Sequence, residues 1–190
     1  RFNGSNYDFA VMRYLPNGAV DSAFGSGGLV FTNLGPGNDE GLGVALQSDG
    51  KIVVAGYSFN GSNNDFALVR YSSSGTLDSS FSTDGIVATN LGPGADIATD
   101  VVIQNDGKIL VAGRSSNGVN DDFALTRYDV AGALDASFDA DGKVLTPVGS
   151  SVDVADSVAL QPDGKIVAAG SSFNGANYDF AVVRYLGDPA

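Results

Sequence analysis

The sequence contains no cysteine, no histidine and no tryptophan. Disulfides are therefore excluded, and so are metal sites built on thiolate or imidazole ligands. Among 22 acidic residues Glu40 is the single glutamate, so aspartate carries nearly all of the negative charge. Basic residues number only ten, which leaves a net charge of −12. Such a surface repels nucleic acid and anionic membrane, because phosphate binding needs clustered Lys and Arg. It suits solubility, cations or basic partners. No apolar run approaches the roughly 18 to 20 residues that a membrane helix needs, so no membrane insertion is expected. No secretory signal is visible either. The chain opens at Arg1 in the middle of a repeat; it reads as a piece of something longer.

What the chain does have is glycine, 26 residues of it, beside a hydrophobic content of 43%. That combination argues for an ordered, turn-rich fold over disorder. A domain of this length buries roughly 70% of the surface of its unfolded chain.

The dominant signal is internal repetition. The stretch DGKIVVAGYSFNGSNNDFALVRY at 49–71 returns as DGKILVAGRSSNGVNDDFALTRY at 106–128 and as DGKIVAAGSSFNGANYDFAVVRY at 163–185. The offset is 57 residues each time, and 15 of the 23 positions are identical in all three copies. A partial copy, FNGSNYDFAVMRY, occupies 2–14.

Each period reads as four short strands. In the first full period, residues 43–47 alternate, placing Val44 and Leu46 on one face. Asp49-Gly50 supplies a hairpin turn. Residues 51–56 are almost wholly apolar, which predicts burial on both faces. A polar loop is expected over 58–64. In the third strand, 65–71, Phe66, Leu68 and Arg70 share one face and Ala67, Val69 and Tyr71 the other. A long loop pinned by Leu77 and Phe81 leads to a fourth strand at 86–91, closed by Gly92-Pro93-Gly94. Four antiparallel strands per period of this length predict an all-β, propeller-like array of blades. An open β-solenoid of the same units is the alternative. The blade boundaries are 1–38 (third and fourth strands), 39–95, 96–152 and 153–190 (first three strands).

Three blades do not close a ring, since propellers have about four to eight. An unfilled sheet edge invites strand addition. The expected partner is therefore the chain itself, as a homo-oligomer or fibre joined by strand exchange, or further blades of a longer chain.

The blocks VALQSDGKIVVAG (44–56), DFALVRY (65–71) and GTLDSSFSTDGIV (75–87), with their counterparts, recur in fixed order. In this the chain resembles the delta-60 repeat, a propeller-like family of bacterial secreted or surface proteins. More loosely, 44–71 is similar to NHL-type propeller repeats, which place the first strand innermost. The resemblance implies an extracellular or cell-surface location in a bacterium and no catalytic residues.

Candidate sites lie in the loops. Arg13, Arg70, Arg127 and Arg184 recur on an apolar face and need anionic partners, for which Asp21, Asp78 and Asp135 are placed. Asp84, Asp139 and Asp141 distantly resemble calcium-loop ligands, although no segment carries the full pattern and Asp also builds turns. Asp96 with Asp100, and Asp153 with Asp156, are candidate acid–base pairs for glycoside cleavage. Without histidine, cysteine or a second glutamate, the chain is read as non-enzymatic and without a cofactor. Positions that break the repeat cluster around the loop between second and third strands: Tyr57, Phe59, Asn64, Arg114, Asp121, Phe173 and Tyr178. There they are placed to contact a glycan or protein. The expected function is a structural or interaction module, with a ligand-binding propeller for carbohydrate or calcium as the alternative.

Overall fold

A computed structural model describes residues 1–187. The described chain holds thirteen strands and no helix: β1 Phe9–Met12, β2 Leu29–Thr32, β3 Asp39–Leu46, β4 Ile52–Phe59, β5 Asn64–Tyr71, β6 Ile86–Thr89, β7 Asp96–Ile103, β8 Ile109–Ser116, β9 Asp121–Tyr128, β10 Lys143–Thr146, β11 Asp153–Leu160, β12 Ile166–Phe173 and β13 Tyr178–Tyr185. No helix among these residues is long and apolar enough to cross a membrane.

The strands form four antiparallel sheets, β1-β2, β3-β4-β5-β6, β7-β8-β9-β10 and β11-β12-β13, each meandering in sequence order. These are the blades, A to D in chain order. The first strands of blades B, C and D lie against one another, β3 on β7 and β7 on β11, so they are innermost. Asp49-Gly50 and its equivalents close the inner hairpins, with Gly50 at a φ of 85° that glycine adopts without steric cost.

The alternation of the third strand decides how blades stack. Phe66 and Leu68 pack with Val53 and Ala55 against Ile109, Val111, Ala124 and Tyr128 of the next blade. Ala67, Val69 and Tyr71, on the other face, pack with Ile52 and Val54 against Phe9 and Phe24 of the preceding one. Leu110, Ala112, Phe123 and Leu125 repeat the arrangement against blade D. Both faces of a full blade are thus buried, as the apolar second strand predicts.

Three features differ from the expectation, the simplest being that the fourth strand ends at Thr89 and not at residue 91. β4 continues through Phe59, so the loop between second and third strands shrinks to a tight turn at 60–63. The first strand begins at Asp39, four residues before its expected start, and carries a bulge at Leu42, matched by bulges at Thr99 and Asp156. Asp39, Glu40 and Gly41 before the first bulge are polar or glycine, and this hides their strand character from an apolar-periodicity reading.

Candidate binding surfaces

The turn at 60–63 is built by asparagine. Asn60 Oδ1 accepts the amides of Ser62 and Asn63, while its Nδ2 donates to Asn63 Oδ1 and Asp65 Oδ2. Asn63 Nδ2 reaches Gly94 O in the connector to the next blade. The same lattice recurs at Asn117, Asn120 and Asp122. The side-chain oxygens of Asn60 and Asn63 are thus used by the turn itself.

The seven repeat-breaking residues all lie at this end, divided among three blades. Tyr57, Phe59 and Asn64 line a cleft of about 400 Å³ with Asn6, Pro36 and Asn38. Burial and the neighbouring Glu40 push the Tyr57 hydroxyl up to about 12. Arg114 pairs with Asp121 at 3.1 Å. Phe173 and Tyr178 stand cross-strand with ring centroids 5.1 Å apart. The structure does not gather them into one site.

At the opposite end, Arg70 Nε meets Asp78 Oδ2 at 2.8 Å, stacks over Phe81 at 4.5 Å and donates to Val130 O of the next blade. Lys51 also reaches Asp78, at 3.3 Å. The Ser80 hydroxyl bond, opposed by burial and helped by the Ser80 amide and Arg70, holds the Asp78 carboxyl down at about 2. Arg13–Asp21 and Arg127–Asp135 repeat the pair, so this arginine ties blade to blade. Asp84 and Asp141 accept the amides of Ile86 and Lys143 in turns. Asp139 sits at a φ of 47°, a left-handed conformation that aspartate tolerates better than most residues. No group of three acidic side chains among the described residues is arranged to hold a metal.

Asp96 and Asp100 serve separate ends. Asp100 Oδ2 crosses to blade D, accepting Ser157 Oγ and Val158 N. Asp96 is fully buried and accepts the amide of Leu91, as Asp39 and Asp153 do at their own connectors. Burial drives the Asp96 carboxyl upward. In the ladders Asp96 stands opposite Ser115, and Ser115 opposite Asp122. Asp39, Ser58 and Asp65 form the same row in blade B, and Asp153, Ser172 and Asp179 in blade D. Sequence reasoning did not find these rows; the only trace is the recurrence of each residue at 57-residue spacing.

A family model described as a domain of unknown function (DUF5122) beta-propeller matches residues 1–24, 47–81, 104–138 and 161–188, well over half of the chain. The chain belongs to this family. Each match in a full blade runs from the inner hairpin through the second and third strands to the phenylalanine under the arginine, Phe81 or Phe138. The family's repeat therefore contains the blade-to-blade tie, together with Ser58 and Asp65 of the buried row. No curated protein matches the chain.

The outermost faces of this DUF5122 array expose what its interior buries. Phe66 and Phe123 are fully buried, whereas the equivalent Phe180 is 91% exposed, with Val182 beside it at 62%. At the other end Tyr14, equivalent to the buried Tyr71 and Tyr128, is 58% exposed, and Met12 is 44% exposed. Val44 is likewise exposed where Val101 and Val158 are buried; β7 and β11 have an inner strand on that side and β3 does not.

Proposed function

We propose that the chain is a non-catalytic structural and interaction module that associates with further copies of itself through its two outermost faces. The observation carrying this reading is their complementarity. The Phe180–Val182 face and the Tyr14–Met12 face are the two halves of an interface already formed between blades B and C. The open edges of β1 and β13 add main-chain donors and acceptors that a strand from another copy satisfies. A location outside the cell rests only on the resemblance to the delta-60 repeat.

The test is the solution mass by light scattering, for the chain itself and for Phe180→Asp and Tyr14→Asp. Multimers that both substitutions reduce to monomer are expected. A monomeric unsubstituted chain overturns self-association, and further blades of the same repeat then become the proper occupants. A second reading, a small ligand in the cleft of Tyr57, Phe59 and Asn64, is favoured by the two aromatic side chains that line it. Binding on a glycan array, lost in Tyr57→Ala, checks it.

A further inference from the structure

Two segments of the chain fit one and the same position. Residues 2–14, FNGSNYDFAVMRY, and 173–185, FNGANYDFAVVRY, are identical at 11 of 13 positions. The first contains β1 and the second β13. Phe9, Val11 and Arg13 therefore correspond to Phe180, Val182 and Arg184. Their surroundings differ. Phe9 is fully buried, whereas Phe180 is 91% exposed.

β1 occupies a socket formed by β2, the loop before it and blade B. It pairs with β2 from Phe9↔Thr32 to Met12↔Leu29. Third and fourth strands pair in the same register in the full blades, at Phe66↔Thr89 and Phe123↔Thr146. Phe9 packs with Phe24 against Val54, Val69 and Tyr71 of blade B. Arg13 meets Asp21 at 2.8 Å and stacks over Phe24 at 4.7 Å. Asn6 Nδ2 donates to Gly37 O in the connector.

β13 carries the same side chains without those partners. Among the described residues it borders no fourth strand. Arg184 has there no aspartate such as Asp21, Asp78 and Asp135 supply to its equivalents. Lys165 reaches only Asp163, where Lys51 and Lys108 also reach Asp78 and Asp135. Blade B shows the complementary gap. β3 lies against β7, and β7 against β11, but the β1-β2 sheet brings no inner strand to β3. Val44 and Leu46 are exposed there. A blade of β11, β12 and β13 in the place of β1 lays β11 on β3 and covers both.

We propose that β13 of one copy displaces β1 of a second copy from β2, and that the exchange is reciprocal, closing two copies into one ring. This rests on the self-association proposed above: docking of the Phe180–Val182 face on the Tyr14–Met12 face is the encounter that brings β13 beside β1. In the closed form each copy contributes blades B, C and D, and the resulting six lie within the range of about four to eight for propellers. Blade D gains β2 of the other copy as its fourth strand, with Phe180 opposite Thr32 and Val182 opposite Val30. Arg184 and Lys165 then face Asp21, and Phe180 takes the buried place of Phe9. β1 has the advantage of its tether, equivalent to an effective concentration on the order of millimolar. The contacts it gives up are re-made by β13, and burial of Phe180, Val182, Val44 and Leu46 is added. Protein concentration therefore selects between the self-capped monomer and the closed dimer.

The experiment uses the whole chain and two double variants. Because the chain has no cysteine, introduced thiols report without background. Val30→Cys with Val182→Cys, oxidised at high protein concentration, should give a covalent dimer on a non-reducing gel. Val11→Cys with Val30→Cys places both thiols on one directly opposed β1-β2 pair. Its internal disulfide pins β1 in the socket and should raise the concentration needed for dimer at least tenfold, and dithiothreitol should reverse this. Light scattering on the unsubstituted chain, which depends on no variant folding, should reach a plateau at twice the mass of the chain. Multimers that form equally well in the pinned variant, or whose mass grows without a plateau, overturn the exchange and leave open docking of the two faces standing. A chain that stays monomeric at every concentration overturns both.

Discussion

Tyr128 donates its hydroxyl to Thr89 Oγ1 of the preceding blade at 2.8 Å, and both residues are buried. Tyr71 with Thr32 and Tyr185 with Thr146 repeat the bond between the other blades. It joins a third strand to the outer strand of its neighbour. Tyr128→Phe keeps the ring and leaves the Thr89 hydroxyl buried without that partner, at a cost of about 1–3 kcal/mol. For a chain of this size each kcal/mol lowers Tm by about 2–4 °C. Thermal denaturation followed by circular dichroism checks this. An unchanged Tm would mean that apolar burial alone holds the blades together.

The same substitution at equivalent positions should have opposite consequences. Phe123 is enclosed between blades C and D, and Phe180 is almost wholly exposed. Phe123→Ala should cost about 3–5 kcal/mol through lost burial and the cavity left behind. Phe180→Ala should change the stability of the monomer by less than about 0.5 kcal/mol, as surface substitutions do. Urea denaturation of both variants at low protein concentration measures the difference. A comparable loss at Phe180 would show that its face is covered in solution, so that arm also bears on self-association.

The 57-residue period made the blades legible, because each repeat states its strand pattern three times. The two faces of residues 65–71, read by alternation, are the two faces that pack. The arginine was legible as a buried cation needing an anion, and its partner eight residues on is Asp78. What escaped is what the bulge controls. Asp100 stands four positions after Asp96, yet the extra residue Thr99 takes Asp100 across to blade D, while Asp96 turns to its own connector. The row Asp96–Ser115–Asp122 exists only once two ladders are in register, and register across a bulge is not carried by apolar alternation.

That bulge depends on a close approach of backbones. A Cβ on Gly113 would lie 2.1 Å from Ile97 O and 2.8 Å from Ala98 Cα, and the equivalent positions at Gly56 and Gly170 are tighter still. The obstacle is backbone on the facing strand, so no side-chain movement relieves it. Gly113→Ala should therefore destabilise by about 1–3 kcal/mol, the usual range for overpacking, and should loosen β7 specifically. Amide exchange read residue by residue tests this: faster exchange across 96–103 than across 64–71 is expected, and uniform change would refute the local account.

The Arg–Asp tie should give the protein an acid-sensitive component of stability, graded by blade. Asp78 titrates at about 2 in the folded chain against an ordinary 3.8. A carboxylate depressed by folding stabilises fully above its unfolded value, and that contribution disappears as pH falls from 3.8 toward 2. Asp135 is held down in the same direction, the bonds from Ser137, Lys108 and Arg127 outweighing burial. Arg70 and Arg127 are 4% and 0% exposed, while Arg13 is 35% exposed beside Asp21. Asp78→Asn leaves a buried guanidinium without its counter-charge and should cost about 3–5 kcal/mol at neutral pH. Asp21→Asn should cost about 0–1 kcal/mol, as exposed pairs do. Urea denaturation at a series of pH values separates the two effects. The slope of stability against pH below 3.8 should flatten in Asp78→Asn and stay as in the parent in Asp21→Asn. Equal slopes in all three would mean that the pairs do not govern acid stability, whatever their geometry.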